Sequence, residues 1–158
     1  MRLEIDGNYS GIKFSASHFI PGHAKCGHLH GHSYILHLSL VGDKGEDGMI
    51  MDFVELKHAL KRTVDDLDHK VLLPSRSPHV NIQKGEEIVV LTGRKRYVLP
   101  SEDVVILDIA QTSAEELAEH ILGRVLNEVH IPPNVKMVEV GLDEERGQTA
   151  WASKLVNQ

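Results

Sequence analysis

Cysteine is almost missing from this chain: its 158 residues hold one, Cys26. An internal disulfide framework is therefore excluded, and a zinc module of four cysteines goes with it. No apolar run approaches the roughly 18 residues of a membrane-spanning helix. The opening Met1-Arg2-Leu3-Glu4-Ile5-Asp6 has no hydrophobic stretch after its arginine, so it is not read as a secretory signal. Positive charge is not in excess either. A net charge of -6 argues against non-specific nucleic-acid binding, which wants a basic surface. No glycine-rich loop leads from a strand into a helix, which removes the P-loop and the dinucleotide fingerprint. Repeats, low-complexity tracts and linker-like stretches are also lacking. Residues 1–158 are therefore expected to form a single domain, soluble and cytoplasmic, with a reduced thiol.

What the chain does have is histidine. There are 11, and five of them fall between His18 and His32. A chain of this length buries roughly two-thirds of its unfolded surface, enough for a core without staples. The histidine cluster is thus free for chemistry.

Alternating residues predict strands at Arg2 to Asp6, Lys13 to Ser17 and, most clearly, His30 to Val41. In the last, Tyr34, Leu36, Leu38 and Leu40 share one face. The polar turn Gly42 to Gly48 predicts a hairpin with a short strand at Met49 to Met51. Asp52 is a good N-cap for a helix whose stripe is Phe53, Leu56, Leu60, Val64 and Leu67. Ser113 with Glu116 opens a second helix, which Pro132-Pro133 closes. Between them, Pro74 to Glu87 reads as loop. Ile88 to Thr92 and Arg96 to Leu99 then read as a hairpin about Gly93. Val135 to Leu142 and Thr149 to Val156 are the closing strands. The pattern predicts an α+β fold with an antiparallel sheet.

His30 and His32 are two apart on a strand, so their side chains leave the same face and can converge on one ion. Gly31 between them lets another backbone pack closely. His18 ends the preceding strand and could lie beside the pair. Three neutral imidazoles with an open fourth position make up a catalytic zinc site. The alternative is three histidines that hold no metal. Cys26 has three readings: fourth ligand of a closed site, thiolate base favoured by nearby positive charge, or inert buried thiol. Asp68-His69 could be a proton-transfer pair, although taken alone a histidine at a helix C-terminus is the plainer reading. Glu144 lies just past a strand, where most carboxylates are simply solvated.

Phe14-Ser15-Ala16-Ser17-His18, followed by Cys26-Gly-His-Leu-His30-Gly-His32-Ser-Tyr, resembles the 6-pyruvoyl-tetrahydropterin synthase family. Three further blocks come in the family's order: Gly48-Met-Ile-Met-Asp52-Phe53 with Leu56-Lys57, Leu67-Asp68-His69, and Thr112-Ser113-Ala114-Glu115-Glu116-Leu117-Ala118. The three-residue gap between the cysteine and His-Gly-His is that of the 6-carboxytetrahydropterin synthase branch, which feeds the 7-deazaguanine (queuosine and archaeosine) pathways. Three departures stand out. Thr112-Ser113 replaces the usual Pro-Thr, and Ala152, beside Trp151, replaces an aromatic. The segment from Pro74 to Val105 is longer than bacterial members need and is read as an insert, 74–105. Arg94, Lys95 and Arg96 sit at its turn, where they could meet a substrate triphosphate or an oligomer contact, a solvated turn being the plainer reading.

The resemblance implies a four-stranded antiparallel sheet with two helices on one face, the T-fold, here with an extra hairpin between the helices. It implies zinc held by His18, His30 and His32, Cys26 as proton-abstracting base, and Asp68 and His69 as its partners. A glutamate after the last long strand would anchor the pterin. Alignment puts it at Glu144, with Asp143 or Glu145 as fallback, and a carboxylate can accept two parallel N–H bonds from the ring edge. The implied substrate is 7,8-dihydroneopterin triphosphate. Its implied products in this branch are 6-carboxytetrahydropterin, acetaldehyde and triphosphate. The sibling 6-pyruvoyl-tetrahydropterin synthase activity is the leading rival, and a non-catalytic zinc-binding pterin-fold protein is the second. Trimers or hexamers with interfacial active sites are implied as well.

Overall fold

A computed structural model describes residues 1–157. Its elements run β1 (Arg2–Ile5), the single-turn α1 (Gly7–Ser10), β2 (Lys13–His18), β3 (His30–Gly42), α2 (Phe53–Val64), β4 (Lys70–Pro74), β5 (Asn81–Lys84), β6 (Glu87–Thr92), β7 (Lys95–Pro100), β8 (Val104–Leu107), α3 (Ala114–Glu128), β9 (Val135–Glu145) and β10 (Gln148–Leu155). Among the described residues no helix is long and apolar enough to cross a membrane.

The main sheet has seven strands in the order β10-β9-β3-β2-β4-β8, with β1 also paired to β3. The expected α+β arrangement is present, but the sheet is larger than four strands and is mixed. β4 runs parallel to both β2 and β8. The long strand β3 is the spine. Its first half pairs with β2, its second half with β1, and its other edge with β9.

Alternation along β3 sends Tyr34, Leu36, Leu38 and Leu40 to one face, where all four are buried. Against them pack Val138, Val140 and Leu142 of β9, Leu56 and Leu60 of α2, and Leu117, Ile121 and Val125 of α3. Both helices start where their caps predict: Asp52 accepts from the Val54 N–H at 2.6 Å and Ser113 from the Glu116 N–H at 3.4 Å. Phe53, placed by its spacing in the apolar stripe, is instead exposed at the first helical position.

Met49 to Met51 forms no strand. Gly48, at φ 81, and the Gly45 N–H bond to the Met49 carbonyl turn the chain there instead. The hairpin about Gly93 is β6–β7, and β5, from the stretch expected as loop, adds a third strand to give a separate small sheet. A second apolar cluster of Phe19, Leu73, Ile88 and Val90 joins that sheet to the main one. Phe19 directly follows His18, so the additional sheet packs against the loop that leads to Cys26.

Candidate metal centre and adjoining clefts

The register of β2 on β3 sets His18 directly opposite His30 and Ala16 opposite His32. All three imidazoles therefore leave one face at the end of the sheet. Their ligand atoms lie within 4.8 Å of one another, and the ring centroids of His18 are 4.6 Å from His30 and 5.2 Å from His32.

The chain also fixes which nitrogens face inward. His18 Nδ1 donates to the Thr112 carbonyl at 2.7 Å and His30 Nδ1 to the His28 carbonyl at 2.7 Å. A backbone carbonyl on Nδ1–H leaves Nε2 as the lone-pair atom, the usual arrangement behind a metal-binding histidine. The Nε2 atoms of His18 and His32 are buried without a hydrogen-bond partner among the described residues. Burial lowers the His18 imidazole from 6.5 to about 4, and the neighbouring His30 and His32 rings push the same way. The ring is thus neutral at ordinary pH. Orphaned nitrogens on convergent imidazoles fit a divalent ion that prefers nitrogen donors.

Glu144 comes from β9 onto the same face. Its Oε1 is 3.4 Å from His18 Nε2 and 3.7 Å from His32 Nε2. Of the two neighbouring acids, Glu145 reaches only the outer nitrogen of His32, its Oε1 3.7 Å from Nδ1. Asp143 turns to the opposite face, where its carboxylate lies 3.2 Å from His37 Nε2 and accepts from Thr149 at 2.5 Å. Glu145 is exposed on the outer rim.

Cys26 is half-buried in the loop between β2 and β3. Its carbonyl accepts from Ile20 at 2.7 Å and its N–H donates to His23 Nδ1 at 2.9 Å, which holds the turn. Cys26 and Glu144 line one cleft of about 340 Å³, together with Ser113, Glu115, Thr149 and Trp151. Sequence reasoning passed over Glu115. The signal was nonetheless available, because Ser113 caps α3 and Glu115 stands in its first turn. Tyr34 was also passed over. Its hydroxyl is buried without a partner, its ring lies 5.6 Å from that of His32, and desolvation and Glu144 push its phenol well above the usual tyrosine range.

Asp68 and His69 lie elsewhere. The Asp68 carboxylate accepts from the Ser15 N–H at 2.7 Å, and the His69 N–H donates to the Ser15 carbonyl at 2.6 Å. Held at both ends, His69 adopts φ 59, a conformation few non-glycine residues take. The Ser15 N–H, aided by His69 Nδ1 2.9 Å away, holds the Asp68 carboxyl below the usual range. His69 lines a different cleft from Cys26, with Ser15, Ser17, Ser33, Lys70 and Asp103. Within one chain the two groups are not brought together.

A mixed sheet with two helices on one face, ending in three histidines beside a thiol and a carboxylate, places the chain in the class of α+β proteins with a metal-type site. The model of the 6-pyruvoyl tetrahydropterin synthase family matches residues 9–154, and the chain belongs to that family. It is accordingly a pterin-directed enzyme of the lyase type. It is similar to a Methanocaldococcus jannaschii protein named provisionally as a 6-carboxy-5,6,7,8-tetrahydropterin synthase, 34% identical over 158 residues, 98% of this chain and 97% of that one. The Rickettsia felis 6-carboxy-5,6,7,8-tetrahydropterin synthase is 29% identical over 126 residues, 78% of this chain and 82% of that one. The crystal structure of the Plasmodium vivax 6-pyruvoyl tetrahydropterin synthase superposes with a TM-score of 0.92 at 28% identity, covering 99% of this chain and 98% of that one.

Proposed function

We propose that the chain is a zinc-dependent 6-carboxy-5,6,7,8-tetrahydropterin synthase. It converts 7,8-dihydroneopterin triphosphate to 6-carboxytetrahydropterin, acetaldehyde and triphosphate for 7-deazaguanine biosynthesis in the cytoplasm. The observation that carries this reading is the sharing of one cleft by Cys26 and Glu144 at the edge of the three-histidine centre. The names of the relatives support it.

His18, His30 and His32 hold the zinc, which when bound supplies Lewis-acid polarisation of the substrate's side-chain oxygens. Glu144 accepts from the amino and amide N–H groups of the ring and so fixes its register. Cys26 removes a proton from a side-chain carbon, and Asp68-His69 moves protons. Since His69, with Asp68 beside it, lines a separate cleft, the pair serves a neighbouring copy's Cys26 in a trimer or hexamer. The whole of 1–158 acts as one catalytic unit, with 74–105 as an insert within it.

Incubation of the purified protein with 7,8-dihydroneopterin triphosphate tests the reading. Acetaldehyde and a carboxylated tetrahydropterin are expected. A pyruvoyl product without acetaldehyde would assign the sibling activity, which the name of the Plasmodium neighbour favours.

A further inference from the structure

The proposed reaction leaves the basic turn of the insert unused. β6 and β7 meet at a two-residue turn, Gly93-Arg94, with Thr92 paired to Lys95. Gly93 supplies the positive φ, 58, that such a turn requires. Lys95 Nζ donates to the Gly27 carbonyl at 2.6 Å, which ties the hairpin tip to the loop that carries Cys26.

Between tip and loop lies a cleft of about 540 Å³, an ordinary size for a ligand site. Its cationic and imidazole walls are His23, His79, Arg94 and Lys95, and no carboxylate lines it. In a chain with 23 acidic against 17 basic side chains, such a lining stands out. Among the described residues, Arg94, His23 and His79 form no ion pair. Because His23 Nδ1 already accepts from the Cys26 N–H, its Nε2 is left as a donor. A guanidinium fork, an ammonium and imidazole donors with no competing acid match the oxygens of a phosphate chain. The loop forms a wall common to two clefts. Ile20 and Cys26 face the one that holds Glu144, while Pro21, Gly22, His23 and Gly27 face the basic one.

We propose that the basic cleft is a polyphosphate subsite, which holds the phosphate tail of the substrate while the ring occupies the cleft of Cys26 and Glu144. This rests on the reading of the substrate as a pterin triphosphate. Arg94 is then a substrate-binding residue remote from the reacting carbons. The β6–β7 hairpin of the insert completes the site from outside the main sheet.

Calorimetric titration of the zinc-loaded protein with inorganic tripolyphosphate tests it, the anion being supplied as its magnesium complex so that it does not strip the histidine centre. The wild type is expected to bind. Arg94→Ala should raise the Kd about tenfold, while Arg96→Ala, exposed on the same hairpin but outside the cleft, should change it less than about twofold. In steady-state assays Arg94→Ala should raise KM for the pterin triphosphate by a similar factor and leave kcat in place. Equal losses for the two variants would mean diffuse attraction and overturn the subsite. So would tripolyphosphate binding that ignores Arg94, or an Arg94-dependent site whose loss leaves KM unchanged. If no pterin triphosphate is turned over while Arg94-dependent binding persists, the reaction assignment fails and the polyphosphate cleft stands.

Discussion

The metal-free protein should lose stability in mild acid, with His18 the main contributor and His120, also lowered by burial, adding in the same direction. The His18 side chain is wholly buried, and burial lowers its imidazole from 6.5 to about 4, reinforced by His30 and His32 and opposed by the Thr112 carbonyl. In the unfolded chain the ring titrates near 6.5. Between those two values the unfolded state binds a proton that the folded state does not, so stability falls as pH falls through the window. Above it both states are neutral and this residue adds no slope. At about 1.4 kcal/mol per pH unit, the loss reaches about 3 kcal/mol near pH 4. Urea denaturation of the chelator-treated protein should be compared with that of His18→Gln, which cannot titrate. From pH 7 to about pH 4.5 the wild type should lose roughly 2.5 kcal/mol more than the variant. The Asp68 carboxyl, held below its usual 3.8, contributes stability that is lost as pH falls from about that value towards its lower folded one, and it does so in both proteins, so it cancels. Parallel pH profiles for the two proteins would refute the reasoning.

Three further outcomes are expected. Cys26→Ser should slow turnover by about 10²–10⁴-fold with zinc content unchanged; loss of the ion on metal analysis would instead make Cys26 a ligand. Tyr34→Phe removes a buried hydroxyl with no partner among the described residues and should leave stability unchanged or raise it by up to about 1 kcal/mol in denaturant melts, whereas a loss above about 2 kcal/mol would show that the hydroxyl is bonded in solution. At Gly141 an added Cβ would meet the Trp151 ring at 2.7 Å. Gly141→Ala should therefore swing the half-exposed indole into solvent, read as a red shift of the chain's single tryptophan; unchanged emission would mean that the backbone yields instead.

The elements legible from the sequence were those with a strong local signal. β3 alternates over its length, and α2 and α3 each carry a capping side chain before an apolar stripe. The hairpin about Gly93 announces itself by its turn. β4 was missed because a strand between parallel neighbours need not alternate, and β8, at the sheet edge, because its Val-Val-Ile-Leu run carries no alternation either. The last three residues of β4, Leu72 to Pro74, are all buried. β5 was missed for the opposite reason: Asn-Ile-Gln-Lys has no apolar period of its own and becomes a strand only by pairing with β6. At the site, His18 could be set beside His30 and His32 because strand pairing is nearly local. The clefts were not foreseen, since Glu144, Ser113 and the tip at Arg94 reach the loop through tertiary packing that no spacing encodes.

The short stretch of chain that carries the three histidines bears on the order of assembly. An unfolded chain already holds His18, His30 and His32 within reach of one another, so the ion has some affinity for that state too. Binding to both states subtracts from the protection an ion gives, and the rise in Tm on loading should fall short of what the folded protein's affinity alone predicts. A nascent chain could capture its metal before α3 has been synthesised. The Thr112 carbonyl that fixes the His18 tautomer comes from 94 residues further along. Capture of an ion would then be an early, local event, with the final aim of the ligands set only when the rest of the molecule closes over them.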